Sequence, residues 1–179
     1  MKKYFILYKP FLLFLGKFFL TYLVLTIIYQ LYITSICNDC IDAITHNVSI
    51  LTENFSRFIG FNLSILKDEN QYNIVYENKV VARIIEGCNA MSVIILFISF
   101  VIAFSGKWKQ TILYIFFGSL LIYCLNVLRI VLLSILIFHY PNQEHILHGI
   151  VFPLIIYGAV FILWVIWVNK FSKYATKTI

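Results

Sequence analysis

Long apolar runs separated by short polar stretches dominate the chain. A helix needs about 17 to 25 apolar residues to cross a bilayer. Four runs meet this length: 18–36, 88–104, 112–139 and 150–168. Since a spanning segment must satisfy its own backbone hydrogen bonds in lipid, each run predicts an α-helix. The shorter run 11–16, ahead of Lys17, either lies in the interface or lengthens the first helix.

The charges between these runs are separated by sign. The segments before the first run, between the second and third, and after the fourth carry lysines and no acidic residue. All eight Asp and Glu residues lie in the other two connections. By the positive-inside rule, both termini are cytoplasmic and the acidic connections face outward. The sequence therefore predicts an all-α, multi-pass protein of the inner or plasma membrane, with about four transmembrane helices in one membrane domain, residues 1–179.

The outward connection 37–87 is long and polar, and its second half indicates β-structure. Residues 72–85 read YNIVYENKVVARII, in which apolar and β-branched stretches flank Glu77-Asn78-Lys79. This pattern is typical of a β-hairpin. We predict a small extracytoplasmic cap that holds the hairpin. The alternative is a loop that orders only on a partner, since a polar segment buries little apolar surface by itself.

Composition restricts the possible functions. Charged residues make up 12% of the chain and hydrophobic residues 61%, whereas an average soluble domain has about 25% charged residues. The mean hydropathy of +0.89 excludes a soluble globular protein, so membrane lipid surrounds most of the chain. The net charge is +6, but the basic residues are dispersed and form no stripe with aromatic residues. We therefore predict no nucleic acid partner.

Cys88 is the candidate nucleophile. It lies in Gly87-Cys88-Asn89 at the outward end of the second run. The first turn of a helix lowers the pKa of a thiol there and favours the nucleophilic thiolate, and Gly87 lets a substrate backbone approach closely. The alternative is that Cys88 only packs. Cys124, in the third run, is predicted to be a buried small side chain of that kind.

Arg129 lies inside the third run, where an ionised side chain is costly and indicates a functional site. A helix that enters from the cytoplasm near Thr111 has risen about 27 Å by Arg129, which puts the guanidinium toward the outer leaflet. Asn126, three residues earlier, shares its helix face. The alternative is a structural role, in which Arg129 reaches the outer headgroups or pairs with Glu144.

His145 and His148 lie where the chain enters the fourth run, and in a helix they share a face. Imidazole titrates near neutral pH, so either can act as a general acid or base. With Glu144 they do not give the His-Glu-x-x-His spacing of zinc-binding helices, and we predict no metal and no cofactor. Alternating helix direction brings a thiol, a guanidinium and an imidazole to one depth, which suffices for acyl transfer through a thioester.

These motifs resemble the exosortase and archaeosortase family of membrane-embedded cysteine transpeptidase-like enzymes, over about residues 86–157. In that family a Cys begins one helix, an Arg follows in Asn-x-x-Arg on the next, and a His precedes a Gly by four residues. The matching residues are Cys88 and Arg129, with His145 as the histidine of a bacterial-type member and His148 as the alternative. The short chain is similar to compact members of the Bacteroidetes type.

The resemblance implies a cysteine protease or transpeptidase that cleaves the C-terminal sorting signals of exported proteins at the outer face of the membrane. Such a signal comprises a short motif, a hydrophobic helix and a basic cluster. Its helix lies beside the enzyme in the bilayer. In this reaction we expect Cys88 to form a thioester, Arg129 to stabilise negative charge or orient the leaving group, and His145 to move protons. The resemblance would also make Arg129 a proton donor, a role that a guanidinium seldom takes.

Two other functions fit the sequence. Cys37 and Cys40 form a C-x-x-C in the outward connection. With Cys88 as the exchange partner, this pattern indicates a quinone-coupled thiol oxidoreductase. A non-catalytic membrane scaffold would instead use Arg129 and Glu144 as an ion pair across helices.

Overall fold

A computed structural model describes residues 2–35, 41–68, 71–104 and 106–171 of the chain. Its main elements are α1 (Lys2–Ser35), α2 (Ala43–Phe58), β1 (Ser64–Asp68), β2 (Gln71–Tyr76), β3 (Lys79–Ile84), α3 (Met91–Ala103) and α4 (Trp108–His139). A last helical segment, Pro141–Phe171, is the C-terminal helix. A mostly helical chain with apolar helices and a small sheet confirms the predicted fold class.

Among the described residues, three helices are long and apolar enough to cross a membrane: α1 from Tyr8 onward, α4 and the C-terminal helix. α1 continues through 11–16, so that run lengthens the first helix. α3 has only 13 residues and is shorter than the predicted span 88–104, because Ala90 directly before it adopts a left-handed conformation with φ of 62°. At 1.5 Å per residue α3 is about 20 Å long, less than the hydrocarbon thickness of about 30 Å.

The buried core of the bundle joins α3, α4 and the C-terminal helix. Phe97, Ile122 and Trp167, one from each, are almost fully buried in it. α3 and α4 come closest at Gly118, where a Cβ atom would overlap the Phe97 ring. Small residues allow such close packing of helices in lipid. α1 packs on α3 at the periphery, and its most apolar stretch is not buried within the protein.

The cap comprises α2 and an antiparallel sheet with strand order β1-β2-β3. The predicted hairpin is confirmed: β2 and β3 are joined at Glu77 and Asn78. Their φ angles of 47° and 62° are typical of a type I′ turn, which matches the twist of the paired strands. α2 and β1 are further elements that the hairpin pattern does not indicate. Asp42 begins α2, since its carboxylate accepts the N–H groups of Ile44 and Thr45 at 2.9 and 3.0 Å.

The cap packs against the second half of α4. Their shared buried core consists of Val48, Leu63, Tyr72, Ile74, Ile84, Ile130, Val131 and Ile135. Toward the end of α4, Phe138 lies edge-on to Tyr76 with ring centroids 4.9 Å apart. Because Ile130 and Val131 directly follow Arg129 in the sequence, this core fixes the cap at the level of Arg129.

Candidate active site

Cys88 lies in a tight turn between the sheet and the bundle. A 3₁₀ turn covers Glu86–Cys88, and its last N–H donates to the Ile85 carbonyl at 2.8 Å. The prediction that Cys88 occupies the first turn of a helix is wrong, because α3 begins only at Met91. The electrostatic field of a helix end falls off within its first turn. The neighbouring groups in the turn, rather than the amino end of α3, therefore determine the environment of the Cys88 thiol. Cys88 is half-buried and packs against the core shared by the cap and α4.

Asn126 connects this turn to α4. Its side-chain amide is buried and donates to the Cys88 carbonyl at 2.7 Å. A buried amide is costly to leave unpaired, so this hydrogen bond fixes the backbone of Cys88 against α4. It brings the Cys88 turn to the helix face that Asn126 shares with Arg129.

Asn89 connects the same turn to two more helices. Its side-chain nitrogen donates to the Tyr29 hydroxyl of α1 at 2.7 Å and to the Thr45 hydroxyl of α2 at 3.3 Å. Its side-chain oxygen accepts the Met91 N–H at 3.1 Å. Thr45 in turn donates to the Asp42 carboxylate at 2.5 Å. Asn89 is therefore a positioning residue that the motif around Cys88 contains but does not by itself reveal.

Arg129 lies one helical turn beyond Asn126, on the same face of α4. Its Nε atom is buried and has no hydrogen-bond partner within the described part of the chain. No ion-pair partner lies near it there either, so the pairing with Glu144 considered as an alternative is not formed. Since burial makes an unpaired polar atom costly, Arg129 holds an unused donor on the face of α4 from which Asn126 binds the Cys88 turn.

His145 and His148 stand at the start of the C-terminal helix, and both are exposed. The helix widens into a π turn at Leu147–Val151. Pro153 explains this turn, because it has no N–H to donate to the Gly149 carbonyl and its ring crowds that oxygen. Turns of this kind change which side chains share a helix face, and they are frequent at functional sites.

A cavity of about 540 Å³ lies between β3, the second half of α4 and the start of the C-terminal helix. It is lined by Val80, Val81, Ala82, Arg83, Leu133, Ile137, Glu144 and His148. Leu133 lies one turn beyond Arg129, and β3 leads into the Cys88 turn. The strand before Cys88 and the helices that carry Arg129 and His148 each contribute lining residues, but Cys88 and Arg129 do not themselves line this cavity. Of the two histidines, His148 is the one that lines it.

A family model described as transmembrane exosortase matches residues 4–168. The chain belongs to the transmembrane exosortase family. No curated protein and no solved structure matches it significantly. Exosortases are membrane-embedded sorting enzymes, generally transpeptidases of the cysteine type, and they act on proteins with C-terminal sorting signals.

The other candidate residues of this exosortase are placed as follows. Cys124 is exposed on α4, so the prediction that it is buried is wrong. Cys37 and Cys40 lie outside the described residues.

A Cβ at Gly87 would meet no atom within 4 Å, so packing does not require glycine there. Among the residues with described positions, no three His, Cys, Asp or Glu side chains are grouped to hold a metal ion.

The cap of this exosortase contains a second polar cluster. His46 Nδ1 lies 2.7 Å from the Tyr72 hydroxyl, at a cavity of about 690 Å³ that Ser49 and Glu53 also line. Burial raises the pKa of Tyr72 above its usual value, and the nearby negative charge of Asp42 raises it further. The Tyr72 hydroxyl therefore stays protonated at neutral pH and can share its hydrogen bond with His46.

Proposed function

We propose that this exosortase cleaves the C-terminal sorting signals of exported proteins near the outer membrane boundary, with Cys88 as the nucleophile. One observation carries the proposal. The Cys88 carbonyl is held by Asn126, and Arg129, one turn further along the same face of α4, keeps a buried nitrogen without a partner. A donor of this kind is what a developing oxyanion needs.

The reaction has two stages. The Cys88 thiolate attacks the scissile carbonyl carbon, and Arg129 donates to the oxyanion that forms. The C–N bond then breaks. The amine leaves with the hydrophobic helix and takes a proton from the histidine, while the exported protein stays on Cys88 as a thioester. Water or an acceptor amine attacks the thioester, the histidine accepts its proton, and the Cys88 thiolate is regenerated.

The proposal is tested on exported proteins that carry a C-terminal hydrophobic helix and a basic tail. Mass spectrometry of their mature C-termini is expected to show loss of the helix only in cells that contain this exosortase. Brief treatment with neutral hydroxylamine should leave a hydroxamate at the new C-terminus, because hydroxylamine intercepts a thioester. C-termini that are identical with and without the exosortase would contradict the proposal.

We expect the two histidines to differ in their contribution to the rate. His148 lines the cavity beside β3 and α4, so His148→Ala should slow cleavage by about 10² to 10⁴-fold through loss of proton transfer. His145→Ala, on the same exposed helical turn, is the matched control and should stay close to the wild-type rate. Cleavage rates of one substrate in membranes compare the two variants. The opposite order would assign proton transfer to His145.

A further inference from the structure

The cavity beside His148 follows the backbone of a sheet edge. β3 is paired only with β2, so its other edge has no strand beside it within the described part of the sheet. The strand has a bulge at Val81, since Val80 pairs with Val75 and Ala82 pairs with Ile74. Beyond the bulge, the side chains of Ala82 and Arg83 point to opposite faces. The cavity is nevertheless lined by both of them, together with Val80 and Val81. It therefore runs along the free edge of β3, where main-chain N–H and C=O groups are available for pairing.

This edge leads toward Cys88. β3 ends at Ile84, and the 3₁₀ turn Glu86–Cys88 follows almost at once. The carboxyl end of β3 is therefore the end that approaches the nucleophile. On the other side of the cavity, α4 provides apolar contacts through Leu133 and Ile137.

We propose that the substrate segment directly before the scissile bond binds as an extended strand on the free edge of β3, parallel to it. This inference rests on the proposed function, because the segment is defined by cleavage at Cys88. A substrate whose hydrophobic helix follows the scissile bond approaches Cys88 with its carboxyl end, as β3 does. Two chains that run toward the same point are parallel. Strand addition to a sheet edge is a common mode of peptide recognition.

The lining of the cavity suits an extended peptide. Its volume of about 540 Å³ lies within the range of about 300 to 1,000 Å³ found for ligand sites. Main-chain pairing binds many sequences, and selectivity then comes from pockets for alternate side chains. Leu133 and Ile137 offer an apolar surface. Arg83 and Glu144 have no ion-pair partner among the described residues and remain available to polar groups of the substrate.

The two edges of the sheet give a matched pair of variants. Val80 on β3 and Lys67 on β1 are both exposed and lie on edge strands, and each is paired directly next to the pair that closes its hairpin. At this position of an antiparallel pair the N–H points away from the partner strand, so proline removes only a donor of the free edge. Val80→Pro is expected to slow substrate cleavage about tenfold, while Lys67→Pro stays within about twofold of the wild-type rate. The alkylation rate of Cys88 by iodoacetamide should be the same in both variants. Equal cleavage rates with intact alkylation would overturn the proposal.

A second measurement does not require the sheet to accommodate a proline. A photo-crosslinking residue, p-benzoylphenylalanine, is placed at position 80, 83 or 66 of the Cys88→Ala protein in membranes. Positions 80 and 83 are expected to label the segment before the cleavage site of a protein whose processing requires Cys88. Position 83 should label residues closer to the cleavage site than position 80 does, and position 66 should not label this segment.

The outcomes separate this inference from the proposed function. Three labelling results overturn strand addition: the reverse order, labelling only of the hydrophobic helix, or equal labelling from position 66. In each of these cases the proposed function is still supported if cleavage depends on Cys88. If no protein requires Cys88 for its processing, both proposals fail.

Discussion

Cys88→Ala is expected to abolish cleavage of sorting signals, with a loss of about 10⁴-fold or more, because no other group replaces a covalent nucleophile. The substitution removes only the sulfur. The Cys88 carbonyl still accepts from Asn126, so the turn keeps its main-chain contact with α4. Cleavage is measured as the fraction of a substrate protein that retains its hydrophobic helix.

Cys124→Ala is the matched control for Cys88→Ala. Cys124 is the other free cysteine of the described residues and is exposed on α4, so its loss should leave the cleavage rate unchanged. A variant with Ser at both 37 and 40 should also retain activity. If that double variant lost activity, and non-reducing gels of the wild type showed a disulfide-linked partner, the thiol oxidoreductase alternative would replace the proposed function.

Arg129→Gln is expected to lower the cleavage rate by about 10² to 10³-fold, the usual cost of removing one oxyanion donor. The unpartnered Nε atom gives the physical reason, since its donor is free to serve the transition state. Arg129→Lys should recover only part of the rate, because an ammonium group keeps the charge but lacks the planar fork of donors. The cleavage rate at saturating substrate measures this loss of transition-state stabilisation separately from any weaker binding of the substrate.

Arg57→Gln is the control for Arg129→Gln, because Arg57 pairs with Glu53 on the surface of the cap. Exposed ion pairs contribute little to stability, so this variant should behave as wild type. Should Arg129→Gln cleave at the wild-type rate, Arg129 has no role in the transition state. Should it accumulate poorly while Arg129→Lys accumulates normally and cleaves at the full rate, its role is structural.

The long helices could be predicted from the sequence because each apolar run exceeds or approaches the bilayer thickness. The β2–β3 hairpin could also be predicted, since β-branched stretches flank a turn at Glu77 and Asn78. α2 mixes polar and apolar residues and was missed. Its signals are local and could have been found: Asp42 caps the helix, and Ile44, Val48 and Phe55 recur at helical spacing.

The candidate site could be predicted only in part. Cys88 and Arg129 stand out because a thiol at the end of an apolar run and a charge inside one are unusual. The role of Asn89 could not be predicted, since its partners Tyr29 and Thr45 lie 60 and 44 positions away in the sequence. These groups come together only in the folded chain, so no local sequence pattern indicates their contact.

The shortness of α3 has a consequence for the fate of the acyl group. A helix of 13 residues spans only about two thirds of the hydrocarbon layer, so the bilayer must thin locally or admit polar groups above the amino end of α3. Under the proposed function, Cys88 forms its thioester at this end of α3, in the recess that a locally thinned bilayer leaves. A thioester in such a recess is shielded from hydrolysis. An acceptor amine that binds in the same recess therefore reacts with the thioester in preference to water.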